Sequence, residues 1–247
     1  FSFHPAGHIV GSAQLRVAYN GEVWVASGDY KTQQDPIATA FQPIKCHHFI
    51  TESTFGLPIF RWEDEEKLIH KIRDWVTENA QHKTNSVLLT YALGKAQRLL
   101  ASLKNLDQPI FVHGAIDAMQ QALAPLKLDL AKVKPWQDYN KKEHAGSLIL
   151  TTPGSTGTSF LNRFKPFNMA MASGWMAMRG TRRRRGLDRG FVLSDHADWN
   201  GLISAVNATE AENIYVTHGY QSQFARYLQE QGLNAVSVET LYETETE

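Results

Sequence analysis

The sequence predicts an α/β protein with largely parallel sheet, and three observations carry that expectation. Short apolar segments recur along the chain, "SVLLTY", "PIFVHG", "SLILTT", "NMAMASG", "GFVLSD" and "NIYVTHG", each running into Gly, Pro, Ser or Asp. Several lead into stretches with apolar residues at helical spacing, the alternation that stacks βα units. A single tight-turn signal near the start adds one antiparallel hairpin to this pattern.

In chain order, "FSFHPAGHIVGSA" reads as a Gly-rich loop carrying His4 and His8, with Pro5 and Gly7 arguing against a helix between them. "AQLRVAYNGEVWVASGD" follows as two short strands joined at Asn20-Gly21, a dipeptide that tolerates the positive φ angles of a hairpin turn. "CHHFITES" is a strand, and "DEEKLIHKIRDWVTENA" is an amphipathic helix whose Leu68, Ile72, Trp75 and Val76 share one face. The remaining segments supply the repeated strands, and "WNGLISAV" starts a helix with Leu202, Ile203 and Val206 as its apolar stripe.

A chain of 247 residues suffices for one large domain or two smaller ones. With 43% apolar and 20% charged residues and 17 glycines, the composition is that of a globular protein. No apolar run approaches the roughly 20 residues that span a bilayer, and no signal-peptide pattern opens the chain, so a cytoplasmic location without membrane association is expected. The single Cys46 has no disulfide partner within the chain and reads as a buried structural thiol. Formal charge is zero, so attraction for nucleic acid requires a local patch. "MRGTRRRRGLDR" is the candidate, with Arg179, Arg182, Arg183, Arg184, Arg185 and Arg189. Consecutive guanidiniums repel one another unless anions or acidic neighbours accept them, although a solvated basic loop is the bland alternative.

The polar residues His113, Asp195, His196 and His218 fall at the carboxyl ends of expected strands, where open α/β sheets bind ligands. His47 and His48 are consecutive on one strand and point to opposite faces; with His70, His82 and His144 they are read as bystanders. Asp195 and Asp198 are read as caps of the helix that follows them, and Glu52 alone as an N-cap or surface ion pair.

Four separated stretches, "HPAGHIVGSA", "SGDYK", "SDHADW" and "VTHG", together resemble the metallo-β-lactamase superfamily. "TESTFG" and "TYALGKAQRLLASL" are similar to the β-CASP nucleases within it, and "YALGKAQRLLA", "VHGA", "GTRRRR", "DRGFVLSDHADW" and "VTHGY" resemble the bacterial ligase-associated DNA exonucleases. The resemblance covers nearly the whole chain. It implies an αββα sandwich, lacking its N-terminal part, made of residues 1–56 and 189–247, with an α/β β-CASP insertion at 57–188 that closes over the metal face as a lid.

On this resemblance His8 completes the shell of a first metal, Asp29 bridges two metals and His218 serves the second; His4, in a loop with Pro5 and Gly7, is read as structural or as a support to the ligands. The implied cofactors are two divalent cations, zinc or alternatively manganese, which suit imidazole and carboxylate ligands and activate water for attack on phosphorus. His196, oriented by Glu52, is the implied general acid for the departing sugar oxygen. Arg182 to Arg185 are the implied phosphate contacts, and turns at "YALGK", "VHGA" and "TPGSTGT" offer backbone N–H groups to phosphates.

The function implied is a DNA exonuclease of repair, working with a DNA ligase and a helicase. An RNA-processing β-CASP ribonuclease and a non-catalytic β-CASP binding subunit are the alternatives; a small-molecule hydrolase of the superfamily has no use for the "YALGKAQRLL" block. The family's HxHxDH stretch is absent from the 247 residues, which begin at the "PAGH" loop without a methionine. The chain is therefore expected to be a fragment lacking four metal ligands, weak in metal binding and close to inactive alone.

Overall fold

The structure is a computed structural model that describes residues 1–178 and 180–238, and of Arg182 the backbone only. The first elements are β1 (Ser2–Pro5), β2 (Ala13–Tyr19), β3 (Glu22–Ala26), β4 (His48–Ser53) and α1 (Glu65–Gln81). Next come β5 (Asn85–Leu89), α2 (Lys95–Ser102), β6 (Ile110–Val112), α3 (Gly114–Leu123), β7 (Lys134–Pro135), β8 (Leu148–Thr151) and β9 (Phe167–Ala172). The last are α4 (Thr181–Arg184), β10 (Arg189–Phe191), α5 (Trp199–Thr209), β11 (Asn213–Gly219), α6 (Gln221–Glu230) and β12 (Ala235–Ser237). The chain divides into two compact units, one formed by Phe1–Arg61 with the chain from Asp195 onward, the other by Trp62–Ser194. These cuts lie a few residues beyond positions 56 and 188. Phe60 is wholly buried and its carbonyl accepts from the Trp199 N–H, which keeps the 57–61 segment with the first unit. Residues 189–191 stay with the second because β10 pairs with β9.

The first unit has one sheet in the order β1-β2-β3-β4-β11-β12. The pairs β1/β2 and β2/β3 are antiparallel and the rest parallel. The β2–β3 hairpin turns at Asn20 (φ 48°) and Gly21 (φ 84°), as the dipeptide requires. Helices α5 and α6 cover one face, packing Trp199, Leu202, Val206, Phe224 and Leu228 on Val25, Phe49, Ile214 and Val216. Along the opposite face, registered positions Phe3, Leu15, Ala26, Ile50, Tyr215 and Val236 form an apolar row across all six strands, none of them fully buried. Cys46 lies in the core of this unit, where burial pushes its thiol up to about 11.

The strand β1 was not legible as such: "SFHP" pairs with β2 in place of a loop. Pro5 is compatible with it because β1 is an edge strand and needs no N–H donor on its outer side.

The second unit is a parallel sheet in the order β10-β9-β5-β8-β6-β7. Its central strands β5, β6 and β8 are buried on both faces, as near-continuous apolar runs such as "SVLL" and "LIL" require. One core joins α1 (Leu68, Ile72, Trp75, Val76) and α2 (Leu99, Leu100) to Leu88, Val112 and Leu150; a second holds Val87, Phe111, Ile149 and Phe164. Arg98 is buried in a bidentate pair with Glu65, and its remaining amino group donates to the Ser194 carbonyl. No helix among the described residues is long and apolar enough to cross a membrane.

The end of β11 controls where His218 sits. Between Thr217 and Gly219 the β4/β11 ladder shifts register, with His218 at φ 55° and Gly219 at φ 82°. A Cβ on Gly219 would stand 2.4 Å from the Ser53 carbonyl oxygen, whereas one on Gly11, also at φ 82°, would meet nothing within 4 Å. Gly219→Ala should therefore lower unfolding free energy by at least about 3 kcal/mol and Gly11→Ala by about 1–2 kcal/mol. Urea denaturation checks this; equal losses at the two sites would contradict the packing described.

Candidate metal centre

Beyond β3 the chain turns at Gly28 (φ 56°), leaving Asp29 exposed while Tyr30 and Lys31 turn inward and are wholly buried. Three backbone bonds fix this turn: Tyr30 N–H to Glu52 Oε1 (2.9 Å), Ala197 N–H to the Tyr30 carbonyl (2.7 Å) and Lys31 N–H to the Ala6 carbonyl (3.1 Å). Lys31 Nζ lies 2.9 Å from Asp35 Oδ2, and Asp35 Oδ1 accepts from the Ile37 and Ala38 amides. A buried ion pair of this kind persists because its charges are also hydrogen-bonded.

His8 sits in the turn between β1 and β2. Its Nδ1 is 2.9 Å from the Asp195 carbonyl oxygen, which can only accept, so the proton is on Nδ1 and Nε2 carries the lone pair. That Nε2 is 3.9 Å from Asp29 Oδ2. A histidine whose other nitrogen donates to a carbonyl is oriented as metal-binding imidazoles commonly are. Gly7 permits the close approach, since a Cβ there would lie 2.3 Å from the Lys31 carbonyl oxygen.

His196 occupies the loop before α5. Its Nδ1 is 2.9 Å and 3.0 Å from the two oxygens of Glu52, and its ring centroid is 4.7 Å from that of His8. Glu52, at the end of β4, is 3% exposed and also accepts from the Thr54 amide and hydroxyl. Burial alone pushes the Glu52 carboxyl up, but the His196 charge and hydrogen bond, with the Thr54 and Tyr30 bonds, outweigh it and hold the group below its usual range. Burial likewise lowers His196, and Glu52, Asp29 and Asp195 together overcome it and raise the imidazole above its ordinary value.

One ligand atom from each of His8, Asp29 and His196 falls within 4.8 Å of the others, a group that could hold a metal ion. Two imidazoles and a carboxylate suit a divalent cation such as Zn²⁺ or Mn²⁺, and three donors leave a position of a tetrahedral shell for water or substrate. His218 is outside that group. It stands exposed at the end of β11, one strand over from Glu52, with its carbonyl accepting from Ser53 Oγ (2.6 Å).

Of the two aspartates read as caps, Asp198 alone is seen to cap α5, accepting from the Gly201 amide at 2.8 Å. Asp195 is 4% exposed; its carbonyl orients His8 and its charge raises His196. A carboxylate directly before His196 in "SDHADW" was the signal for it. Lys31 and Asp35 were missed as well, and nothing in their spacing distinguished a buried pair from a solvated one.

The other histidines have local partners. His4 contacts Ser2 Oγ and Gln42 Oε1; His47 lies just before β4, its Nδ1 accepting from Val23; His48 stacks on Trp24 at 3.9 Å; His113 caps α3. His70 and His144 each hold a local backbone group, and His82 ends α1. In the second unit Arg183, Arg184 and Arg185 are exposed around the short helix α4. Arg179 and the Arg182 side chain lie outside the described residues.

No protein-family model matches the chain. It is 28% identical over 239 residues to a protein of Opitutus terrae named probable DNA ligase, covering 96% of this chain and 23% of that protein. An RNase J-like protein of Methanocaldococcus jannaschii is 26% identical over 127 residues, 47% of this chain and 30% of that one. Endoribonuclease YSH1 of Gibberella zeae is 32% identical over 105 residues, 40% of this chain and 12% of its own length. Named nucleases are among its relatives. The chain spans less than a third of each of these proteins.

Glu52 is the group on which the site's geometry turns, so its removal should be costly. Glu52→Ala is expected to lower unfolding free energy by about 3–5 kcal/mol, because it strands buried donors from Tyr30, Thr54 and His196. Urea denaturation in EDTA measures it, and a loss under about 1 kcal/mol would contradict the network.

Proposed function

We propose that the protein is a metal-dependent nuclease of the β-CASP group of the metallo-β-lactamase superfamily, hydrolysing phosphodiester bonds of nucleic acid. The observation that carries this reading is the His196–Glu52 hydrogen bond placed beside the His8 and Asp29 ligand atoms. Relatives named as endoribonucleases and as an RNase J-like protein support it. In this reading the first unit holds both halves of the metallo-β-lactamase domain and the second is the β-CASP insertion.

His8 and Asp29 would hold one cation, with Asp29 and His218 serving a second. When bound, the cations would activate a water at neutral pH and neutralise charge on the phosphoryl oxygens. The chain's own residues do the rest. Glu52 fixes the imidazole of His196 with Nδ1–H inward and raises its affinity for a second proton. Nε2 then carries the proton that the departing sugar oxygen needs. The Asp195 carbonyl keeps the His8 lone pair on Nε2, and the Lys31–Asp35 pair braces the turn that presents Asp29. Arg182 to Arg185 would meet phosphates, Arg183, Arg184 and Arg185 as exposed cations.

DNA is the favoured substrate, supported by a relative that matches 96% of the chain and is named probable DNA ligase; digestion from an end in a repair setting rests on the family resemblance alone. The same name supports a ligase partner; a helicase rests on the family resemblance alone, and a cytoplasmic location on the sequence expectation alone. RNA is the second reading, favoured by the relatives named for RNA cleavage. The test is to incubate the full-length protein and its His196→Ala variant with end-labelled single-stranded DNA, duplex DNA and RNA under Zn²⁺ or Mn²⁺. DNA should shorten from one end, and the variant should be about 10²–10⁴-fold slower with its metal content unchanged. No cleavage of any nucleic acid would refute the proposal, and metal lost together with activity would make His196 a ligand instead of the acid.

A further inference from the structure

The second unit carries an aromatic cluster that the reaction above does not use. His113 follows β6, Trp136 follows β7 and Phe160 lies in the 3₁₀ turn Ser159–Phe164 beyond β8. These three strands are neighbours in the sheet and run parallel, so all three rings stand at adjacent carboxyl ends. Phe160 meets His113 edge to face at 4.9 Å and Trp136 at 5.5 Å. The exposed Arg163 lies over the Trp136 ring, 4.0 Å from its centroid. All three rings are half-buried, and Trp136 and Phe160 pack one side on the core while the rest stays open.

Two further features set this edge apart. At Gly114, Gly154 and Gly157, in the turns beside the rings, a Cβ would meet nothing within 4 Å, so the backbone is open to a close-approaching group. Burial lowers His113, which keeps its ring neutral and suited to stacking at pH 7.

We propose that this edge is a binding subsite for single-stranded nucleic acid, with unpaired bases stacking on Trp136 and Phe160 and Arg163 contacting the backbone. The proposal rests on the nuclease reading and narrows its substrate. Carboxyl ends of parallel strands are where open α/β sheets take ligands. Rings that are fixed from behind and open in front accept any base through its π-face, and a guanidinium already stacked on one of them matches both a base plane and a phosphate. Bases within a duplex have their faces covered by their neighbours, so the subsite would engage single strands or frayed ends.

The experiment measures binding of fluorescent oligo-dT, oligo-U and a DNA duplex by anisotropy in EDTA, which stops cleavage, for the full-length protein and variants. Trp136→Ala should weaken single-strand binding by roughly 5- to 150-fold with duplex binding unchanged, and Trp136→Phe should restore most of it. Arg163→Glu, at an exposed position that leaves the core intact, should also weaken it and lower the salt slope by about 1. Should Trp136→Ala fail to fold by circular dichroism, Arg163→Glu decides alone. Single-strand affinity unchanged in the folded variants, while the wild type still cleaves nucleic acid, would overturn the subsite and leave the nuclease reading standing. A wild type that neither binds nor cleaves any nucleic acid would remove both.

Discussion

A buried carboxylate holds the candidate centre together. Glu52 sits at the end of β4 and accepts from Tyr30 in the "SGDYK" turn, from Thr54 beyond the strand and from His196 in the "SDHADW" loop. Segments far apart in sequence are thereby fixed to one atom group. An ionised carboxylate is stable at 3% exposure only because donors surround it, and each of those donors belongs to an element the site needs. Asp29 and His196 owe their proximity to it. His8 is tied in by the Asp195 carbonyl, next door to His196.

The supporting parts of the fold follow a common logic of satisfying what they bury. The Lys31–Asp35 pair in the first unit and the Arg98–Glu65 pair in the second are both buried, and both spend their remaining donors or acceptors on backbone groups. Such pairs contribute little net stability, but they define one arrangement of the segments they join. Arg98 does this for Ser194 within the second unit, and Lys31 for the turn that follows Asp29 in the first. Rigid loops matter here because donors converging on a metal tolerate only small errors of position.

Much of the framework was legible in the sequence, for local reasons. Asn20-Gly21 specified its hairpin through φ angles that few residues adopt, and α1 through an unbroken 3.6-residue period ending in buried Trp75 and Val76. The alternation of apolar segments with stretches at helical spacing implied the largely parallel sheet, in which β5 and β8 are buried along their whole length. What was not legible depended on non-local pairing. "SFHP" becomes a strand only because β2 lies beside it. Asp195 orients His8 through its backbone carbonyl, which no side-chain pattern reveals, although its charge beside His196 could be read from "SDHADW", and the burial of Lys31 and Asp35 is set by packing between distant segments. His8, Asp29, Glu52 and His196 were named from short motifs, and the fold sets His8 3.9 Å from Asp29 and His196 2.9 Å from Glu52. His218 was named beside them from "VTHG" and stands exposed at a bulge, outside the three-residue group.

The central claim is that His8 and Asp29, beside the Glu52-bound His196, form a place where a divalent cation binds. Crystals soaked in millimolar Mn²⁺ and measured at a wavelength where manganese scatters anomalously test it most directly. The account predicts a peak about 2.0–2.3 Å from His8 Nε2 and an Asp29 carboxylate oxygen. Density that shows these side chains ordered as described, with no peak between them or with peaks only elsewhere on the surface, would contradict it.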